Sequence, residues 1–168
     1  MAEGAHPASL SIESLMAECG QRQVRRGGPG GQRRNKVETG VVLVHRPTGI
    51  EAEASERRHL KENLPLAVRR LRLVLAVEVR RAVGGGPSAV WQARCHGGRV
   101  VVSQSHDDFP ALVAEALDVL ADRDWDPRAA GEWLGCTSSQ LVRLIRRCRS
   151  AFDLLNRQRR QAGLHLLK

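Results

Sequence analysis

The chain has 168 residues, and its 27 lysines and arginines outnumber 18 acidic residues, which gives a formal charge of +9 and a pI near 10.8. The 42% of hydrophobic residues can fill a core, so the composition excludes a disordered chain, and no apolar run approaches the roughly 20 residues of a membrane span. The excess of positive charge favours a polyanionic partner, nucleic acid above all.

The cysteines and the first residues argue against a metal site, a disulfide framework and a signal peptide. The four cysteines stand apart, without a C-x-x-C pair or a grouping with histidine that would suggest zinc ligands or a disulfide framework, so we assign no metal and no cofactor. The first twenty residues lack a basic start followed by an apolar core. We therefore expect a cytoplasmic protein without a membrane partner.

The elements at the start of the chain are a short helix and a hairpin. Residues 9–19 have apolar positions at helical spacing after a capping serine, Ser11. A glycine-rich segment follows, and residues 37–46 (VETGVVLVHR) are rich in β-branched residues. After the turn at 47–49, residues 50–55 (IEAEAS) alternate apolar and charged side chains. This pattern predicts a β-hairpin whose second strand is half exposed.

A long arginine- and leucine-rich stretch comes next. Asn63 is a candidate cap, Pro65 fits a first turn, and leucines and valines at helical spacing predict a helix that packs across the hairpin and is broken by the glycines at 84–86. Around Gly97 and Gly98 the sequence predicts another strand pair, from SAVWQ to RVVVS. The fold class expected for residues 1–105 is α+β, a small mixed sheet with a packed long helix and a mobile loop.

From residue 106 onward the pattern is helical. PALVAEALDVLA is amphipathic, Asp126 and Pro127 are a helix-start signal, and Thr137 can cap SSQLVRLIRRC. Two helices around Gly135, the second rich in arginine, fit a helix-turn-helix and a plain three-helix bundle with a basic rim equally well. The basic last stretch fits either a docked helix or a loose tail. We thus predict a helical module at 106–168.

The segment 27–36 (GGPGGQRRNK) holds the strongest functional signal. Successive glycines can adopt positive φ and leave no Cβ in the way, so the backbone N–H of the next residue can closely approach a substrate. Gln32 does not titrate, but its amide can orient a water or a developing oxyanion. The phosphate-loop and dinucleotide-binding patterns are absent here, since the glycines precede a hairpin.

The motif GPGGQ, followed by RNKVET, HRPTGI and EAEASERR, resembles the catalytic domain of class I peptide chain release factors and of their codon-independent ribosome-rescue relatives, over residues 15–80. The resemblance implies a ribosome-dependent peptidyl-tRNA hydrolase. Its loop would enter the peptidyl-transferase centre of the large subunit and promote hydrolysis of the ester of peptidyl-tRNA. A site that must enter such a narrow space also leads us to expect a monomeric protein. Gly30 and Gly31 would set the loop conformation, and Gln32 would coordinate the water and hold the product-side oxygen through its backbone N–H.

The resemblance also implies contacts with RNA. Asn35 and Lys36 would anchor the loop to rRNA or tRNA, and Arg25 and Arg26 would do so from the other side. At positions 33–34, where the family commonly has an apolar residue, this chain has Arg33 and Arg34, which we expect to strengthen RNA contact or tilt the loop. The resemblance allows methylation of Gln32.

Recognition of the ribosome is left open by the sequence. No segment resembles the codon-recognition domain of the full-length factors or the long basic tail of the rescue hydrolases, so we expect a codon-independent role in release or rescue. Two alternatives stay open: a non-catalytic factor that binds ribosomes or RNA through the basic loop, and a helix-turn-helix protein that binds DNA.

Overall fold

The computed structural model describes residues 5–25 and 39–168. The fold is α+β, as predicted, although both sheets are antiparallel and the sequence pattern had suggested a mixed one. Contacts between Cα atoms divide the chain into two compact units, Leu10–Leu75 and Ala76–Lys168, and the second also includes the residues before Leu10. We call these the first and the second unit.

The first unit begins with a short helix and a three-stranded sheet. Helix α1 (Ile12–Ala17) starts as predicted, because the Ser11 side chain accepts a hydrogen bond from the Ser14 N–H. Strands β1 (Cys19–Val24), β2 (Gly40–His45) and β3 (Glu51–Ala54) form an antiparallel sheet in the order β1-β2-β3. The predicted hairpin is confirmed as β2 and β3, with Ala52 and Ala54 buried and the glutamates between them exposed.

Helix α2 (Leu60–Glu78) differs from its prediction at both ends. It begins three positions before Asn63, so Asn63 is not its cap, and Pro65 lies inside the helix. It ends well before the glycines at 84–86, because the Arg80 guanidinium donates hydrogen bonds to the carbonyls of Ala76 and Val77, which lack partners within the helix. The predicted apolar face is confirmed, since Val68, Leu71 and Leu75 are buried.

The second unit opens with a helix that the sequence had suggested as a strand. Residues SAVWQ form helix α3 (Ala89–Arg94), because Ser88 caps its first turn and Trp91 turns inward, 1% exposed, where a helix can bury it. The predicted strand pair around Gly97 and Gly98 is present but short, as β4 (Cys95–His96) and β5 (Arg99–Val100).

Four helices complete the second unit. Helix α4 (Phe109–Asp122) is buried along most of its length and contacts α5 (Pro127–Leu134), α6 (Ser138–Arg146) and α7 (Arg149–Gln161). Asp126 and Thr137 cap α5 and α6 as predicted, each accepting from a backbone N–H in the first turn. The last residues fold back on α7, where Asn156 exchanges two hydrogen bonds with the Leu167 backbone. Of the two interpretations that the sequence allowed, a docked end and a loose tail, the structure shows the docked end.

The division predicted at residue 105, between an α+β catalytic domain and a helical module, stays a prediction. The contact-based units meet at residue 75 instead, and β4, β5 and α3 belong with the C-terminal helices. None of the helices in the described part of the chain is long and apolar enough to cross a membrane.

Candidate active site

The glycine-rich motif lies in the connection between two paired strands. Strands β1 and β2 are antiparallel, and their register ends with Val24 opposite Gly40. The connection therefore leaves β1 after Val24 and returns to the sheet at Gly40. The structure describes only its two ends, Arg25 and Thr39, together with the side chains that hold those ends.

Gly40 is required where the connection rejoins the sheet. A Cβ at this position would lie 2.7 Å from Val24 Cγ2 and 2.9 Å from Ser55 Cβ, closer than side-chain carbons normally approach. Any larger residue would push β2 away from both of its neighbours at the point where the connection begins and ends. The sequence analysis did not single out Gly40, because the close approach appears only in three dimensions.

Asn63 ties the end of the connection to helix α2. Its side chain is fully buried, and its Nδ2 donates to the carbonyl of Thr39 at 2.6 Å and to that of Arg57 at 3.1 Å. Its Oδ1 accepts from the Arg57 N–H at 2.9 Å. A buried amide with three satisfied hydrogen bonds fixes the backbone it contacts, because breaking any of them leaves a polar group without water. Asn63 thus anchors Thr39 and is a positioning residue that the sequence analysis took for a helix cap.

A second polar link lies at the other end of the same strands. The His45 side chain, 2% exposed, bonds through Nε2 to the Glu18 carboxylate at 2.8 Å and through Nδ1 to the Thr48 hydroxyl at 2.8 Å. Cys19 and His45 are the first pair in the β1-β2 register. The two strands that carry the connection are therefore held at both ends, by Asn63 near Thr39 and by His45 beside α1.

Arginines on this sheet are balanced by carboxylates. Arg22 on β1 lies 3.6 Å from Glu51 on β3, and Arg70 on α2 pairs with Glu56 and donates to the Glu53 carbonyl at 2.8 Å. The Arg70 hydrogen bond lowers the pKa of Glu56 to about 2, so this carboxylate stays charged at any physiological pH. The pairs cross-brace α2 and the sheet, although exposed pairs of this kind add at most about 1 kcal/mol each.

Most of the predicted site lies outside the described residues. Arg25 is described, exposed and directly after β1. The other residues predicted for catalysis or RNA binding fall in the segment 26–38, which the structure does not describe: Gly30, Gly31, Gln32, Arg26, Arg33, Arg34, Asn35 and Lys36. Within residues 5–25 and 39–168, no three His, Cys, Asp or Glu side chains are grouped in a way that could hold a metal ion.

Comparison with known proteins gives a family for this part of the chain. Residues 10–84 match the model of the RF-1 domain. An uncharacterized mitochondrial peptide chain release factor-like protein of Saccharomyces cerevisiae is 41% identical over 83 residues, which are 49% of this chain and 51% of that protein. The human mitochondrial translation release factor in rescue is 39% identical over 62 residues, 37% of this chain and 36% of that protein.

A full-length bacterial factor also matches. Peptide chain release factor 1 of Leuconostoc citreum is 44% identical over 57 residues, 33% of this chain and 16% of that protein. No solved structure matches. The chain spans about half the length of the yeast relative and smaller shares of the other two. The sequence motifs and the family model point to the same similarity, between residues 10–84 of this chain and the RF-1 domain of peptide chain release factors.

Proposed function

We propose that this chain is a ribosome-dependent peptidyl-tRNA hydrolase that acts in translation release or in rescue of stalled ribosomes without reading a codon. The observation that carries the proposal is the GPGGQ sequence within the connection between β1 and β2 of an RF-1 domain. The human relative's name, translation release factor in rescue, supports this assignment. The partners are the large ribosomal subunit, its rRNA and peptidyl-tRNA.

The chemistry follows from what the motif can supply. Gly30 and Gly31 allow backbone angles that other residues rarely adopt, and without a Cβ the main chain can reach an ester buried in RNA. The backbone N–H of Gln32 donates to the oxygen that becomes negatively charged as the ester carbonyl is attacked, and its side-chain amide orients the attacking water. No group of the motif titrates near neutral pH, so its contribution is positional and electrostatic.

The fold of the first unit suits this role. A donor aimed at a reacting atom is effective only if its support is rigid, and strand β2, which follows the connection, is fixed at both ends by the buried polar side chains of Asn63 and His45. The positive residues on either side of the glycines would contact RNA phosphates. These are Arg25 and Arg26 before the motif and Arg33, Arg34 and Lys36 after it, and the neutral amide of Asn35 would add a hydrogen bond to the RNA.

Substitution of Gly31 by alanine tests the proposal. The added Cβ blocks close approach of the main chain, and we expect release of peptide from ribosome-bound peptidyl-tRNA, with no stop codon in the decoding site, to slow by about 10²-fold or more. Gly85→Ala is the matched control, because a Cβ at Gly85 meets nothing within 4 Å. Equal release by both variants and the unaltered chain would contradict the proposal.

The alternative is a factor that binds ribosomes or RNA without cleaving the ester. It is favoured by the density of positive charge around the glycines, which phosphate contacts alone would explain. The same assay separates the two functions. Salt-sensitive binding to ribosomes by the unaltered chain, with no peptide released above the rate of ribosomes alone, would support the alternative.

A further inference from the structure

A cleft in the second unit brings Arg99 together with Arg143 and Arg147, which lie more than 40 residues further along the chain. It has a volume of about 210 Å³ and lies between β5, the residues that follow it and α6. Arg99 lines one side, Arg143 and Arg147 line the other with Gln140, and Val101 forms part of the apolar wall. We call it the arginine cleft. It belongs to no part of the site proposed for ester hydrolysis.

The arginines of the cleft lack the acidic partners that others in this unit have. Arg80 pairs with Asp118 at 2.9 Å, and Arg94 pairs with Asp108 at 2.8 Å. Among the described residues, no carboxylate forms an ion pair with Arg99, Arg143 or Arg147, and Arg147 donates to a main-chain carbonyl, that of Val102.

The sequence around the cleft is also rich in positive charge and poor in acidic residues. Residues 137–168 contain eight arginines and lysines and a single acid, Asp153. Three like charges around one small volume repel one another, and an anion in the cleft would remove that cost. The chemistry of the cleft therefore points to a polyanion.

The cleft is built by fixed contacts between its two walls. The turn between α5 and α6 donates from the Thr137 N–H to the Gly98 carbonyl at 3.2 Å, which holds the β4-β5 hairpin beside the start of α6. The buried Trp91 indole donates to the Leu134 carbonyl at 2.8 Å, at the end of α5. Because Arg99 directly follows Gly98, these bonds set the position of its wall before any ligand arrives, which reduces the entropy lost on binding.

The kinds of side chain in and beside the cleft distinguish among polyanions. Guanidinium groups bind phosphate oxygens in a bidentate manner. Single-stranded nucleic acids are usually held by bases stacked on aromatic rings, and none of the residues lining this cleft is aromatic. The exposed hydroxyls of Thr137, Ser138 and Ser139 lie at the start of α6, where they can contact ribose 2′-hydroxyls beside the phosphates.

We propose that the arginine cleft binds the phosphate backbone of double-helical RNA. The choice of RNA rests on the proposed function, since a hydrolase that works on ribosomes meets its nucleic acid chiefly as rRNA helices. Arg99 and Arg143 bind phosphates from opposite walls, Arg147 adds a third positive charge, and the short hydroxyl side chains of the α5-α6 turn contact the adjacent sugar. The cleft thus gives the C-terminal helices a role in holding the ribosome.

The test measures binding of the full chain to a 16-base-pair RNA duplex by fluorescence anisotropy over a range of salt concentrations. The cleft variant is Arg99→Ser with Arg143→Ser. The control is Arg128→Ser with Arg149→Ser, which removes the same charge from two exposed arginines of the same unit that pair with Glu132 and Asp153. The side chains of Arg99 and Arg143 form no hydrogen bond or ion pair with the other described residues, and the ion pairs of the control arginines are exposed, so both variants should keep the thermal unfolding midpoint of the unaltered chain.

We expect the cleft variant to bind the duplex at least 10-fold more weakly, with a salt dependence shallower by about one to two phosphate contacts. The control should stay within about twofold of the unaltered chain. Equal weakening of both variants would show that overall charge alone governs binding and would overturn the proposal. Tighter binding to a DNA duplex or a single-stranded RNA of the same sequence would overturn it as well.

This assay contains neither ribosome nor ester, so it separates the two proposals. If Gly31→Ala leaves peptide release unchanged while duplex binding depends on Arg99 and Arg143, the proposed hydrolase falls and the cleft stands. If release depends on Gly31 but the cleft variant binds the duplex like the unaltered chain, the cleft falls and the hydrolase stands.

Discussion

The two units of this chain are stabilised in different ways. In the first unit, buried polar side chains hold the backbone at the ends of strands, through Asn63 with Thr39 and His45 with Glu18. In the second unit, aliphatic side chains of packed helices form the core, and Leu112, Leu117 and Leu141 are fully buried. The polar contacts of the first unit fix the ends of strand β2, next to the glycine-rich connection. The packed helices of the second unit give a fixed surface on which the arginine cleft lies. The difference fits the roles we propose, a catalytic connection in the first unit and a binding cleft in the second.

The tryptophans allow the two units to be followed separately. All three, Trp91, Trp125 and Trp133, lie in the second unit. Tryptophan fluorescence therefore reports unfolding of the second unit, whereas hydrogen exchange of the β1 and β2 amides reports opening of the first. Each substitution below is expected to affect one signal and to leave the other nearly unchanged.

The largest effect on stability is expected from Asn63→Leu. The leucine has a similar size but leaves the Thr39 carbonyl and the main-chain N–H and carbonyl of Arg57 without their partner, at a cost of about 3 kcal/mol. Amide exchange in β1 and β2 should speed up, while the fluorescence midpoint stays. Asn156→Leu is the control, since Asn156 is only partly buried and should cost about 1 kcal/mol. An equal effect of both changes on β1 and β2 would show that Asn63 is not an anchor.

A smaller effect is expected in the second unit from Gly131→Ala. The added Cβ would lie 2.8 Å from the Cys136 carbonyl oxygen and 3.2 Å from the Ser138 nitrogen, both main-chain atoms of the α5-α6 turn. We expect a loss of about 2 kcal/mol and a fluorescence midpoint lower by several degrees. Gly86→Ala, where the Cβ meets open space, should shift the midpoint by less than a degree or two. A Gly131→Ala protein as stable as this control would mean that the turn is not closely packed.

A third effect is a pH dependence that His6 gives the second unit. Burial, with Arg80 and Arg81 nearby, lowers the pKa of His6 from 6.5 to about 4, despite its bond to the Val79 carbonyl. Between pH 6.5 and 4 the unfolded chain binds this proton and the folded unit does not, so the contribution of His6 is complete above pH 6.5 and is lost as the pH falls to 4.

Nearby Asp118 changes stability in the opposite direction. Burial raises its pKa to about 6 although Arg80 opposes the shift, so its ionisation destabilises the unit as the pH rises from 4 to 6. The measurement is therefore a difference, the fluorescence unfolding free energy of the unaltered chain minus that of His6→Asn. This difference should be constant above pH 6.5 and decrease between pH 6.5 and 4. A constant difference across this range would show that His6 titrates normally.

Local signals in the sequence predicted the elements well. Ser11, Asp126 and Thr137 cap helices as expected, because capping depends on residues only two or three positions away. The alternation of Ala52 and Ala54 with glutamates correctly predicted which face of β3 is exposed. The GPGGQ motif and its neighbours indicated the same similarity that the RF-1 match reports for residues 10–84.

Features that depend on tertiary contacts were missed. Asn63 fits the pattern of a cap, and only its contact with Thr39 reveals an anchor. Trp91 made SAVWQ resemble a strand, whereas its burial against the Leu134 carbonyl requires a helix. Arg99 and Arg143 are distant in sequence, so the arginine cleft was not visible before the hairpin and α6 were placed side by side. The roles assigned to residues 30–36 and to Arg25 stay predictions.

The central claim is that the glycine connection performs the chemistry while the arginine cleft holds the ribosome. It is tested most directly by kcat and KM of peptide release for Gly31→Ala and for Arg99→Ser with Arg143→Ser, with ribosome concentration varied. The account predicts that the glycine variant lowers kcat with little change in KM, and that the cleft variant raises KM with little change in kcat. A glycine variant with normal kcat and a raised KM would contradict it.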